Sequence, residues 1–196
     1  MRDIWFSDKR DLVKWSVLLR LVEQHFADHI LQIAYYRPSS FGKVTIDKKE
    51  IDIPHEVRYL FRNISNIEKI NSRIKIAVFD HIFDNRPAYQ KAAIEFIKDY
   101  SRSRCVVLLD PDTGLQPANP NLEHVFEAEA RGIFEALKSN DVFVFHQHKT
   151  NRNGKAWIDS KKKQLGKAMG VTKEEIKTAH GPKIAHDVVF YFVRRA

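Results

Sequence analysis

The stretch Cys105–Val106–Val107–Leu108–Leu109–Asp110–Pro111–Asp112–Thr113–Gly114–Leu115 decides how this chain reads. Its first residues are uniformly apolar, the pattern of a strand buried on both faces. The run then breaks into Asp–Pro–Asp–Thr–Gly. Pro111 has no N–H and cannot continue a central strand, while Gly114 permits a positive φ. Asp110 and Asp112 therefore fall just past the carboxyl end of a central strand. In open α/β sheets that edge is where ligands bind.

Outward from this strand, apolar runs alternate with helical periodicities. Asp8 to Phe26 reads as a helix, with Leu12, Trp15, Leu18, Leu19, Val22 and Phe26 at spacings of three and four, and with Ser7 or Asp8 as cap. Ile30–Tyr36 reads as a strand halted by Arg37–Pro38–Ser39–Ser40. A short strand is expected around Val44–Ile46, then weakly helical sequence through Phe61. Ile74–Phe79 reads as a strand ending in Asp80–His81, and Pro87 opens a helix through Tyr100. Beyond the Asp–Pro–Asp segment come a helix from Leu122 to Lys138, a strand Val142–His146, a helix Ala156–Met169 and a strand Asp187–Val193. This alternation predicts one α/β domain over residues 1–196: a doubly wound, mainly parallel, Rossmann-like sheet with helices on both faces.

Composition narrows the function classes. Hydrophobic residues make up 43% of the chain, which argues against disorder. Lys and Arg number 33 against 25 acids, a formal charge of +8 that favours polyanionic partners, nucleic acid above all. The one cysteine, Cys105, sits in the apolar run, so no disulfide framework or thiolate zinc site is expected. No signal-peptide core or long apolar span is visible, which predicts a cytoplasmic protein with no membrane partner. The sequence does not fix its oligomeric state.

Three predicted strands end in polar clusters: Asp80–His81, Asp110–Pro111–Asp112 and His146–Gln147–His148. In a parallel sheet these ends share one rim, so they predict a functional cleft. Taken singly, Asp80 can cap a turn, Asp112 can form a turn with Gly114, and His146 can be a satisfied core histidine. The segment His148–Lys155 carries Lys149, Arg152 and Lys155 beside an Asn153–Gly154 turn, donors suited to a phosphate backbone. Lys161–Lys162–Lys163 reads as a solvated helix face.

The opening helix motif Asp11–Leu12–Val13–Lys14–Trp15, a following strand, and the later Asp110–Pro111 strand end together resemble the ribosomal-RNA adenine-N6 methyltransferases, of the Rossmann-like S-adenosylmethionine-dependent class. The chain also resembles phage and bacterial proteins with an Asp–Pro–Asp–x–Gly–Leu strand end. The methyltransferase resemblance implies that Asp110 and Pro111 accept the target amino group. It also implies that Asp11, Lys14, Asp80 and Arg37 serve the cofactor. The chain departs from that family where Asp112 replaces a proline and Thr113 replaces the aromatic that stacks on a flipped base. A glycine-rich loop after the first strand is missing, Arg37–Gly42 standing there instead.

Three readings follow. The first is a methyltransferase-like protein acting on or binding nucleic acid, its cofactor loop altered or lost, with Asp110, Asp112, His146 and His148 as catalytic candidates. The second is a phosphodiesterase or nuclease using Mg²⁺ or Mn²⁺ on Asp80, Asp110, Asp112 and His146, residue types that such ions accept. The third is a nucleic-acid-binding domain without catalysis.

Overall fold

The computed structural model describes residues 6–39, 42–149 and 156–196. The chain opens with α1 (Lys9–His25) and β1 (His29–Ile33), followed by the hairpin strands β2 (Lys43–Ile46) and β3 (Lys49–Asp52). α2 (His55–Arg62) and a 3₁₀ segment (Ile64–Lys69) lead into β4 (Lys75–Phe79), α3 (Arg86–Lys98) and β5 (Cys105–Leu109). Next come the short strands β6 (Gly114–Leu115) and β7 (His124–Val125), α4 (Glu127–Ala136), and β8 (Val142–His148). The chain then forms α5 (Ala156–Met169), β9 (Lys177–Ala179) and β10 (Val188–Arg194). Among the described residues no helix is long and apolar enough to cross a membrane.

The central sheet has six strands in the order β4-β1-β5-β8-β10-β9. The first four run parallel, and β10 pairs antiparallel with both β8 and β9. Because β1 lies between β4 and β5, the chain leaves β1 toward one side and later crosses it to the other. That reversal makes the β1–β5 boundary a topological switch point of the sheet. Alternation along each strand divides the core. Ile30, Val106, Leu108, Val142, Val144 and Phe190 face α1, packing on Val13, Leu18, Leu21 and Val22. The intervening Leu31, Ile33, Val107, Leu109, Phe143 and Phe145 face α3, α4 and α5.

Several elements depart from their sequence reading. β1 stops at Ile33; Tyr35 is left-handed at φ 46°, and Tyr36 forms an isolated bridge with Ile82. α4 starts at Glu127 rather than Leu122 because the preceding residues are drawn into the β6–β7 pair. β8 runs on through Gln147 and His148, paired with β10. Leu12 and Phe26 are exposed, not part of the helix's core face, and Phe26 instead ends α1 in a left-handed conformation. The polar Lys43–Pro54 segment holds a whole hairpin, turned at Asp47–Lys48 with both φ positive.

Candidate functional site

Register brings the site together before any side chain is considered. Leu109 sits opposite both Ile33 and Phe145, so the next residues, Asp110 and His146, lie side by side at the rim. Parity then sends them to the same face. Asp110 continues the Val106–Leu108 series and His146 the Val142–Val144 series, both toward α1, and Gln32 of β1 joins them. The polar ends of three strands thus meet the first turns of α1.

That end of α1 is built for the purpose. The Asp8 side chain caps it, accepting from the backbone N–H groups of Arg10 and Asp11 at 2.7 and 3.1 Å. Asp11 and Lys14, three apart, share the inward face. The Lys14 ammonium is buried, 2.6 Å from Asp11 Oδ1 and 2.8 Å from Asp110 Oδ2. Gln32 Nε2 donates to the same Asp110 oxygen at 2.6 Å. The other oxygen, Oδ1, lies 3.0 Å from His146 Nδ1, within charge contact but off the hydrogen-bond axis. Arg10 makes a second clamp between α1 and the start of β10, with two nitrogens 3.0 and 2.6 Å from Asp187.

The charges depend on one another. Burial alone would raise the Asp110 carboxyl, but Lys14 and His146 outweigh it and hold that group well below the usual carboxylate range. Burial likewise opposes the Lys14 charge, yet Asp110 and Asp11 hold its pKa above the ordinary value. His148 goes the other way: burial, then the neighbouring His146 and Arg10, push it down to about 3, so it is neutral at pH 7.

These groups line a cavity of about 280 Å³. Five carboxylates border it (Asp8, Asp11, Asp110, Asp112 and Glu123) against two cations, Arg10 and Lys14. Arg37 reaches in from its edge, paired with Asp112 and 3.4 Å from Glu123. A second cavity of about 340 Å³ shares Asp112, Thr113 and His148 with the first and carries Lys149 on its wall.

Seven residues singled out in the sequence as site candidates therefore line one cavity: Asp11, Lys14, Asp110, Pro111, Asp112, His146 and His148. Asp80 does not join them. It is exposed and accepts a hydrogen bond from Ser65 Oγ at 2.9 Å. Arg152 and Lys155 lie outside the described residues. The metal set of Asp80, Asp110, Asp112 and His146 is consequently not assembled: one member stands apart, and two are paired with Arg37 and Lys14. No group of three candidate ligands able to hold a metal occurs among the described residues. Of the cofactor set, Asp11 and Lys14 line the cavity and Arg37 pairs with Asp112 at its edge, while Asp80 stands apart. The segment after β1 is instead tied to the segment after β4, through the Tyr36–Ile82 bridge and a 2.7 Å bond from Phe83 N–H to the Tyr36 carbonyl.

Sequence reading missed Gln32, Arg10 and Lys161. Gln32 had a signal, a lone polar residue inside an apolar run. Lys161 is not on a solvated face: it is buried and donates to the Leu115 and Gln116 carbonyls at 3.0 and 2.8 Å, holding the segment after Asp112 in place. Arg10 had none, because its partner Asp187 is 177 residues away. The chain matches no family model and no curated protein, so its function rests on the residues of this cavity.

Proposed function

We propose that this chain binds nucleic acid and takes an amine-bearing base into the cavity at the carboxyl rim. Its scaffold is doubly wound, Rossmann-like and of the methyltransferase type, with the cofactor loop altered or lost. The strand order reversing at β1, and packing of α1 on one face and α3 to α5 on the other, support that scaffold. The observation that carries the reading is the sorting of charge. The whole chain is basic at +8, yet the cavity has five carboxylates against Arg10 and Lys14. A pocket rich in acceptors repels phosphate and suits hydrogen-bond donors, such as the exocyclic amine of adenine or cytosine. Phosphates belong outside it, where Lys149 stands at the rim of the adjoining cavity. A base turned out of its stack into a pocket, its backbone held by surface cations, matches this division.

The test is fluorescence anisotropy with labelled dA, dC and dT dodecamers. The dA and dC strands bind more tightly than dT, and all weaken steeply between about 50 and 200 mM salt. Equal affinity for the three strands, or no binding at the lower salt, refutes the reading. In a thermal-shift assay S-adenosylmethionine leaves the melting temperature unchanged; a rise would restore a cofactor site.

A further inference from the structure

We propose that the far end of α1 is a second contact surface for single-stranded nucleic acid, with Phe26 stacking on a base and Arg104, Lys177 and Arg194 holding the flanking phosphates. It rests on the nucleic-acid reading above for its partner, but lies away from the cavity. The cavity borders the first turns of α1, and the helix's 17 residues carry the chain about 25 Å to its other end.

Register gathers the cations. Val106, Val142 and Arg194 form one row across β5, β8 and β10, and the two valines face α1. Arg194 therefore points to the α1 side at the amino end of the parallel strands. Arg104, two residues before Val106, falls on that same side, and so does Lys177, opposite Phe192. The Arg104 guanidinium donates to the His25 carbonyl at 3.1 Å, which seats it at the end of α1. Burial, then Arg194, Lys177 and Arg104, hold the His25 imidazole below its ordinary pKa, so all three cations act at that point. Asp28 accepts the backbone N–H of Arg104 at 2.9 Å, and Arg194 donates to the Asn140 side-chain oxygen. Among the described residues no carboxylate pairs with the side chains of Arg104, Lys177 or Arg194.

Phe26, next to His25, is out of place in two ways. It forms the left-handed cap of α1 at φ 52°, a position that glycine or asparagine usually fills and that strains a bulky residue. It is also 82% exposed, so it adds almost nothing to the core. Neither feature helps the fold, and strain that the fold does not need gathers at functional sites. An aromatic held clear of the core beside unpaired cations has the two parts that bind a single strand without reading its sequence: a stacking platform and phosphate contacts. The basic excess of +8 also needs a place outside the acidic cavity, and this end of the sheet supplies one.

The experiment uses the full chain and the labelled dT dodecamer, whose bases lack the exocyclic amine and so report this surface rather than the cavity. Phe26→Gly puts the residue favoured at a left-handed cap in place, so it keeps or raises the melting temperature while weakening dT binding about fivefold or more. Phe26→Trp, which still stacks, keeps the affinity. Lys177→Gln/Arg194→Gln makes the slope of log affinity against log salt shallower by about 1.4, the loss of two phosphate contacts to a single strand. Unchanged dT binding in Phe26→Gly, or an unchanged slope in the double variant, overturns the proposal. A more stable protein that binds less tightly is not a damaged fold. The preference for dA and dC over dT belongs to the cavity and persists in these variants. If the native chain lacks that preference while the variants lose dT binding, the cavity reading fails and this one stands. If the preference is present and the variants bind dT as the native chain does, this proposal fails and the cavity reading stands. Binding to phosphatidylserine vesicles with none to the dodecamer overturns it in favour of a lipid surface.

Discussion

Replacing Lys14 by methionine tests the central claim that one buried lysine neutralises the rim. Methionine keeps the length and apolar stem, while the charge disappears. Asp110, 2% exposed, and Asp11, 9% exposed, would then face each other without their shared cation. Removing one partner of a buried pair costs about 3–5 kcal/mol, because the remaining charge stays desolvated. The pH dependence carries the sharper signature. In the native chain Asp110 has a depressed folded pKa, so its contribution is present above the unfolded value and lost as pH falls through the folded one. In Lys14→Met only His146 and the Gln32 amide still oppose burial, so the folded Asp110 pKa rises and the carboxyl is drawn toward taking up a proton on folding. The penalty is therefore largest near pH 8 and shrinks toward pH 5. Lys14→Met/Asp110→Asn recovers much of the loss, since the stranded charge has gone. Urea unfolding followed by tryptophan fluorescence measures all of this. A loss below about 1 kcal/mol, or one flat from pH 5 to 8, refutes the idea that Lys14 compensates buried carboxylates.

Three further outcomes follow from the same geometry. Gly114→Ala is strongly destabilising, by about 2–4 kcal/mol in urea unfolding, because Gly114 has φ +129° and a Cβ there collides with the Gln147 side chain. Asp141→Ala costs about 3 kcal/mol or more by the same assay, since the buried carboxylate accepts the Cys105 N–H at 2.8 Å and pairs with Lys138. Cys105 stays unreactive toward thiol reagents at pH 8 in the folded chain and reacts on unfolding, because burial pushes its thiol up to about 12.

What the sequence made legible was whatever depends on local pattern. The apolar run Cys105–Leu109 and its Asp–Pro stop placed a strand end and two carboxylates where the structure has them. The capped, apolar-periodic stretch from Asp8 likewise marked the helix that carries Asp11 and Lys14. Register was not legible. Nothing in Val142–His148 says that Phe145 pairs with Leu109, yet that single alignment sets His146 beside Asp110 and leaves Asp80 outside. Asp80 also follows a parallel strand at the same rim, but beyond β1, where Ser65 takes it up. A rim read from sequence gives the edge of a sheet; only strand order tells which ends are neighbours.

The buried network also bears on how the cavity keeps its shape. Apolar side chains alone would hold α1 to the sheet, and replacing a buried ion pair with them is often neutral or stabilising. Leucines and valines, however, pack nearly as well after a small slide along the helix axis. A lysine caught between Asp11 and Asp110, with Gln32 on the same oxygen, loses hydrogen bonds on any such slide. Arg10 on Asp187 resists the same motion from the far side of the turn. Together they fix the first turns of α1, which form one wall of the cavity, over the ends of β5 and β8. The stiffness comes from polar contacts at the rim rather than from the core beneath. The price of loosening it is therefore paid at the site, and a ligand arriving there meets a wall already in position.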